Sequence, residues 1–394
     1  MRNLNSCTRF LLLFIVLFVF AGSCSKSDIN DLPDPQFDTI AELDITGDAM
    51  LSVSKDNPDG ADGVEGSTKL VDGDTTTKFL IKDFQAVNID FKFDSVKLVA
   101  SYQFTTGNDA DGRDPLDWKF YGSDDGKQWV ELDSRMGMQF RKRRTNYRFY
   151  FENTTPYKYY RWSVLKVYGG DMFQASEFRL IQMPPASQKT EPLSRVDSVM
   201  RNDLKLIFVN HSDKEALDYK EKLSNAFFTV YPELLKEYNP NAVKRVYFIV
   251  DPTYDGVAYS FGDVVVFSYK YMEGNPNDGD VAVHEIMHKI QAAYQGSVPG
   301  WLTEGIADYV RDRFGIDDPD RWSLPDYASD QNYDGSYGIT GRYLKWIEKH
   351  KRKDFVRELN DALIEGVNYR DFWVQKLGSS IETVWDEYAK NPAL

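Results

Sequence analysis

The sequence predicts a multidomain protein, an all-β antiparallel sandwich followed by a domain of mixed α and β structure, and three observations predict it. From about Ala41 to Met183 short alternating apolar runs are separated by turn residues, as in Val87-Asn88-Ile89-Asp90-Phe91-Lys92-Phe93 and Tyr147-Arg148-Phe149-Tyr150-Phe151. A period of two puts alternate side chains on one face of a strand, and a series of such runs argues for a sandwich. The stretch Met183 to Pro192, with Pro184 and Pro185 at its start, then breaks the alternation. Beyond it the rhythm changes: a strand at Lys205 to Val209, a helix about Lys214 to Tyr238, strands at Arg245 to Val250 and Val264 to Tyr269, then a run of helices. A chain of 394 residues is long enough for two such units. The expected division is a sandwich over 40–183, a linker over 184–198 and the mixed domain over 199–394.

The first residues are read separately. Arg2 and Arg9 flank the start of an apolar run, Phe10 to Ala21, followed by Gly22, Ser23 and Cys24. That run is well under the roughly twenty residues that cross a bilayer, so residues 1–23 read as a signal peptide rather than a membrane span. Ala21-Gly22-Ser23-Cys24 resembles the bacterial lipobox, which implies a lipid-modified Cys24 at the mature N-terminus; an ordinary signal peptide with an incidental cysteine is the alternative. Cys7 leaves with the leader, so a disulfide is not expected and stability must come from packing and bound metal. Residues 24–39, polar and carrying Asp28, Asp31 and Asp34, read as a tether. Their acidity resembles outer-membrane lipoproteins of the Bacteroides group, which implies a cell-envelope location with membrane contact through the lipid anchor only. A net charge of -14 argues against a nucleic-acid partner and otherwise reports a solvated surface.

Asp280 to Tyr294 is apolar-periodic and is ended by Gly296, so a helix is predicted there. His284 and His288 are four residues apart and stand about 6 Å apart on one helical face. Two imidazole nitrogens so placed can converge on one tetrahedral Zn²⁺. Glu285 lies beside them, where a carboxylate can act as general base toward the attacking water. A helix with two surface histidines is the alternative. The next predicted helix, Pro299 to Val310, puts Glu304 and Asp308 on a shared face. A zinc site with two histidines takes a third protein ligand and keeps one position open, which makes Glu304 the candidate. Asp308, one turn on, is placed to accept the other ring proton of a ligating histidine; Asp308 as the third ligand stays open.

Segment 283–310, with its WLTEGIADYV run, resembles the gluzincin peptidases. More narrowly, HEIMHKIQ, GWLTEGIADYVR and the later Tyr337-Gly338-Ile339-Thr340-Gly341-Arg342-Tyr343 resemble the basic secretory protein family of plant and bacterial peptidases, over roughly Leu204 to Trp385. The resemblance implies a zincin-like fold and a zinc-dependent endopeptidase acting on extracellular or surface proteins and glycoproteins. The acidic composition and a spacer of fifteen residues between His288 and Glu304 depart from that pattern. Gln291 and Tyr294 stand where metzincins have a glycine and a third histidine, which excludes that group. Tyr337 matches the family's tyrosine segment and is the candidate donor to the oxyanion, with a core or surface role among 24 tyrosines as the alternative. Strand Val264 to Ser268 precedes the metal helix. In zincins such a strand is the sheet edge along which an extended peptide lies, the alternative being a buried strand without substrate contact.

In the first domain, Thr68 to Phe79, Thr106 to Asp109, Arg113 to Pro115 with Trp118, Tyr121 to Gly126, Trp129 and Gln174 to Phe178 follow in order. Together they resemble a discoidin or coagulation-factor C-type domain of the galactose-binding sandwich fold, over nearly all of 40–183. This implies a structural Ca²⁺ held by Asp72, Asp74, Thr77 and Glu177, against an Asx-rich turn without metal. A glycan ligand follows by fold-level analogy, against a spacer role. A glycan-binding surface lipoprotein with an inactive peptidase-like domain is the competing reading of the whole chain, and the joint presence of both histidines, the base and a third ligand argues against it.

Overall fold

The computed structural model describes residues 42–191, 194–316 and 322–394. Cys24 and the segments expected as leader and tether lie outside the described residues. Among the described residues no helix is long and apolar enough to cross a membrane.

The first domain is built from two larger antiparallel sheets and a two-stranded pair, Phe79–Ile81 with Phe173–Ala175. Of the larger two, one orders Leu43–Asp44, Glu177–Gln182, Val99–Thr105 and Asn146–Tyr150; the other orders Met50–Val53, Val87–Lys97, Tyr157–Val167, Pro115–Ser123 and Val130–Arg135. The alternation read in the sequence is the alternation of burial: Val87, Ile89, Phe91 and Phe93 are buried, whereas Asn88, Asp90 and Lys92 are not. Aromatic rings fill the space between the sheets, with Phe91 stacked on Phe178, Tyr102 on Phe120 and Trp162 on Phe178. Each such buried ring contributes about 1.5–3 kcal/mol.

The second domain carries a five-stranded sheet ordered Arg195–Arg201, Leu204–Asn210, Arg245–Asp251, Val264–Ser268 and Ala258–Phe261. The two outer pairings are antiparallel and the two inner ones parallel. Strand Arg195–Arg201 takes its first four residues from the segment expected as linker, 184–198, so the connection is shorter than expected. Its side chains are almost all exposed and carry mixed charge, which erases the apolar signal a strand would otherwise give. The expected helix from Lys214 begins only at Lys220 and runs to Glu237.

The substrate edge expected at Val264–Ser268 is corrected. That strand pairs on both sides and all five residues are buried; the free edge is Ala258–Phe261. An unbroken apolar run marks a strand covered on both faces, and an inner strand has no free backbone groups to offer. The real edge, Ala-Tyr-Ser-Phe, is too short and too mixed to register as a strand.

One face of the sheet, through Leu206, Phe208, Val246, Phe248, Val265 and Phe267, packs on the helices Lys220–Glu237 and Val281–Gln291. The opposite face, through Ile207, Val209, Tyr247, Ile249, Val264 and Val266, shares a core with Leu116 and Tyr168 of the sandwich. The two domains are joined by buried apolar surface as well as by the chain.

Candidate metal centre and active site

The helix Val281–Gln291 is buried on nearly all sides; of its eleven residues only His288 is not fully buried. At its start the Val281 N–H donates to the Asp278 carboxylate (3.2 Å), which Arg311 also engages (2.5 Å). Glu304 lies on the returning helix Gly300–Phe314. The residue after it must be glycine: a Cβ at Gly305 would come within 2.2 Å of Thr340 Cγ2. That close crossing with the helix Tyr337–His350 carries Tyr337 to the same site.

The three expected ligands converge. Glu304 Oε2 is 3.1 Å from His284 Nε2 and 3.5 Å from His288 Nε2, and the two Nε2 atoms are 3.3 Å apart. Among the described residues this is the one group of at least three acidic, cysteine or histidine side chains whose donor atoms lie within 4.8 Å of one another. Behind the rings, His284 Nδ1 donates to Asp308 Oδ1 (2.6 Å) and His288 Nδ1 to Gln291 Oε1 (2.6 Å); the Gln291 amide in turn donates to the Thr303 carbonyl (2.8 Å). With both Nδ1 atoms engaged from behind, both Nε2 atoms are turned toward the Glu304 carboxylate, so that all three could serve one cation. Asp308 therefore stands behind His284, and Glu304 among the converging donors.

The electrostatics follow from the same contacts. Burial acts to lower the pKa of His284, but the hydrogen bonds to Asp308 and Glu304 outweigh it and raise it to about 10. Burial acts to raise Glu304, but the two imidazoles bring it down to about 2. Glu285 is buried, with its carboxyl pushed up by that burial and pulled back by His284 and His288. Its Oε2 is buried without a hydrogen-bond partner. An unpaired buried carboxylate oxygen is costly, and such groups mark sites where a proton or ligand is to be received.

These groups open on a cleft of about 1030 Å³ bounded by the metal helix, the edge strand Ala258–Phe261, Tyr254, Trp322 and Tyr337. The Tyr337 ring lies parallel to His284, centroids 6.1 Å apart and planes at 16°, and is 57% exposed. Ser336 and Tyr337 both adopt left-handed backbone, φ 66° and 46°, a strained pair at the helix start that aims the ring at the cleft. Glu304 first, then burial, raises the Tyr337 pKa, so its hydroxyl keeps its proton. Sequence reading missed Gln291 as the partner of His288, although a spacing of three on a helix face signals it. It also missed Ser260, whose hydroxyl donates to the Glu285 carbonyl (2.9 Å), and for that no local signal exists.

In the first domain the expected calcium ligands assemble only in part. Thr77 Oγ1 donates to Asp72 Oδ2 (2.9 Å), but both carboxylate oxygens of Glu177 are buried without a hydrogen-bond partner. The Asp74 carboxylate is turned instead onto the N–H and hydroxyl of Thr76 (2.8 and 2.6 Å). Glu177 is buried, ion-paired to Arg179, and pushed up to about 7 chiefly by burial.

Solved structures similar to this chain cover between 35% and 38% of it. They include the family 32 carbohydrate-binding module of Clostridium perfringens NanJ in complex with galactose (11% identity, 36% of this chain, 100% of that chain, TM-score 0.31). Also similar are the C-terminal domain of a chitobiase from Bacteroides fragilis (16% identity, 36% of this chain, 98% of that chain, TM-score 0.31) and an F5/8 type C domain from the same organism (15%, 36%, 95%, 0.32). No curated protein matches the chain. Residues 205–388 match the BSP family, described as "Peptidase of plants and bacteria", a span that contains the helix Val281–Gln291, Glu304, Asp308 and Tyr337, and the second domain of this chain is thus a peptidase-family domain.

Proposed function

We propose that the chain is a zinc-dependent peptidase that hydrolyses peptide bonds of extracellular or surface proteins, with the sandwich as an accessory module that binds glycan. The observation that carries this reading is the convergence of His284 Nε2, His288 Nε2 and Glu304 Oε2 beside Glu285, whose Oε2 is buried without a hydrogen-bond partner. Two imidazoles and one carboxylate suit Zn²⁺ by donor type, and the fixed Nδ1 partners suit a ligand role for both rings. Zinc held there supplies Lewis acidity, polarising the scissile carbonyl and acidifying water.

The protein's own residues do the rest. Glu285 takes the proton of the attacking water as its oxygen bonds to the carbonyl carbon, then delivers that proton to the amine nitrogen as the C–N bond breaks. The Tyr337 hydroxyl donates to the oxygen on which negative charge builds. The edge strand offers backbone N–H and C=O groups to an extended peptide, so that main-chain pairing holds the substrate across the cleft. Asp308 and Gln291 keep the rings of His284 and His288 in register.

The test is Glu285→Ala. Cleavage of an unstructured protein should drop about 10²–10⁴-fold while zinc content stays the same; undiminished cleavage at equal zinc content would sink the mechanism. For the remaining parts we propose lipidation at Cys24, an outer-membrane address, and calcium at Asp72, Thr77 and Glu177. The mass of the mature N-terminus, and calcium titration of the intact protein, check these.

A further inference from the structure

We propose that the sandwich is a working part of the peptidase cleft: its Arg141 and Tyr168 are positioning residues that fix the edge strand Ala258–Phe261 and the tyrosines beside it. The proposal rests on the peptidase reading above and gives the first domain a role that a freely tethered sugar-binding module would not have.

A four-residue edge strand closed by a tight turn is marginal by itself. On one side the metal helix holds it. Ser260 donates to the Glu285 carbonyl, and Lys289 Nζ donates to the carbonyls of Gly262 (3.1 Å) and Val264 (2.6 Å). The other attachment is to the sandwich. The Phe261 ring lies parallel to Tyr168, centroids 5.5 Å apart and planes at 6°. It sits so close to Gly169 that a Cβ there would come within 1.8 Å of it. The Tyr168 hydroxyl donates to the Tyr259 hydroxyl (3.0 Å), which donates to Gln139 Oε1 (2.7 Å).

Arg141 completes the clamp. Its guanidinium donates to Asp251 at 2.6 Å and lies over the rings of Tyr254 and Tyr259, 4.7 and 5.6 Å from their centroids. Both rings line the cleft. Beneath them the domains are locked by Lys166 to Asp263 (2.7 Å) and Tyr247 to Asp117 (2.8 Å), and by the shared apolar core. An edge that pairs with an incoming peptide must present its N–H and C=O groups in one register. Any freedom left in the hairpin is lost on binding and weakens it. Arg141 and Tyr168 touch neither the metal ligands nor the reacting bond, so their effect belongs to the binding of substrates long enough to lie along the edge.

The experiment compares the full chain with its Arg141→Ala and Tyr168→Phe variants, on a long unstructured peptide and on a short one that reaches the metal but not the edge strand. Arg141→Ala should raise KM for the long peptide about tenfold, the scale of a lost stacked ion pair, with kcat, zinc content and short-peptide kinetics unchanged. Tyr168→Phe keeps the ring stack and loses one hydroxyl link, so it should shift KM in the same direction by less. Amide exchange across 254–264 should quicken in Arg141→Ala while exchange in 281–291 does not. Equal losses on both peptides, or unchanged KM with unchanged hairpin exchange, would overturn the proposal. If the unaltered chain cleaves neither peptide, the peptidase reading fails by itself; hairpin exchange then decides the clamp alone, and no change in it refutes the clamp.

Discussion

Each domain carries a cluster of polar side chains built around one glutamate, and the two glutamates differ in how they hold a proton. In the second domain Glu304 is brought down to about 2, because two imidazoles outweigh its burial. In the first, Glu177 is pushed up to about 7, because burial and the neighbouring Asp72 outweigh the ion pair with Arg179. The residue type is the same; the balance of burial against cationic neighbours sets the sign. The clusters differ equally in preparation. Around Glu304 both imidazoles are fixed from behind by Asp308 and Gln291, which suits a small ion with strict geometry. Around Glu177 the Thr77 hydroxyl donates to Asp72, the Asp74 carboxylate is turned onto Thr76, and the Glu177 oxygens are left without a hydrogen-bond partner, so the carboxylates are not gathered on one point.

The comparison breaks most sharply at His288. His288→Ala should abolish stoichiometric zinc, read by elemental analysis, and bring peptidase activity to background, without altering the sandwich; full zinc retention would mean that the converging donors are not the metal site. Next in size, Asp308→Asn should weaken zinc binding about 10–100-fold in competition with a chelating dye. An unchanged affinity would show that the His284 ring is oriented by something other than its Nδ1 partner.

The smallest expected effect lies in the first domain. An unfolded glutamate titrates near ~4.3, so with Glu177 near 7 the folded state binds the extra proton between those values. Stability of the sandwich in calcium-free buffer should then fall as pH rises through that window. Asp114, pushed up to about 6 by burial, adds to the same slope. Glu177→Gln should remove part of that pH dependence, measured as Tm against pH, and calcium should raise Tm at neutral pH only in the unaltered chain. A slope identical in Glu177→Gln would move its origin elsewhere.

How much of this was legible depends on the range over which each feature is encoded. His284, Glu285 and His288, like Glu304 and Asp308, are related by helical spacings of one and four, so the site could be read from two short segments. Gln291 belongs to that class and was legible but unread. Alternation of burial along Val87–Lys97 placed the sandwich for the same reason. The edge of the sheet was misplaced because Val264–Ser268 carries the strong apolar signal of an inner strand, while the edge strand Ala258–Phe261 carries almost none.

Leu206 to Val209 and Val246 to Val250 are apolar without interruption, and from that the sequence by itself determined that both faces of the sheet are covered. Only the tertiary structure decided that helices cover one face and another domain the other, and that Arg141 reaches Asp251 across 110 residues of chain. The reason is physical: local periodicity fixes which side chains share a surface, whereas which two surfaces meet is settled by packing between segments whose separation leaves no trace in either one.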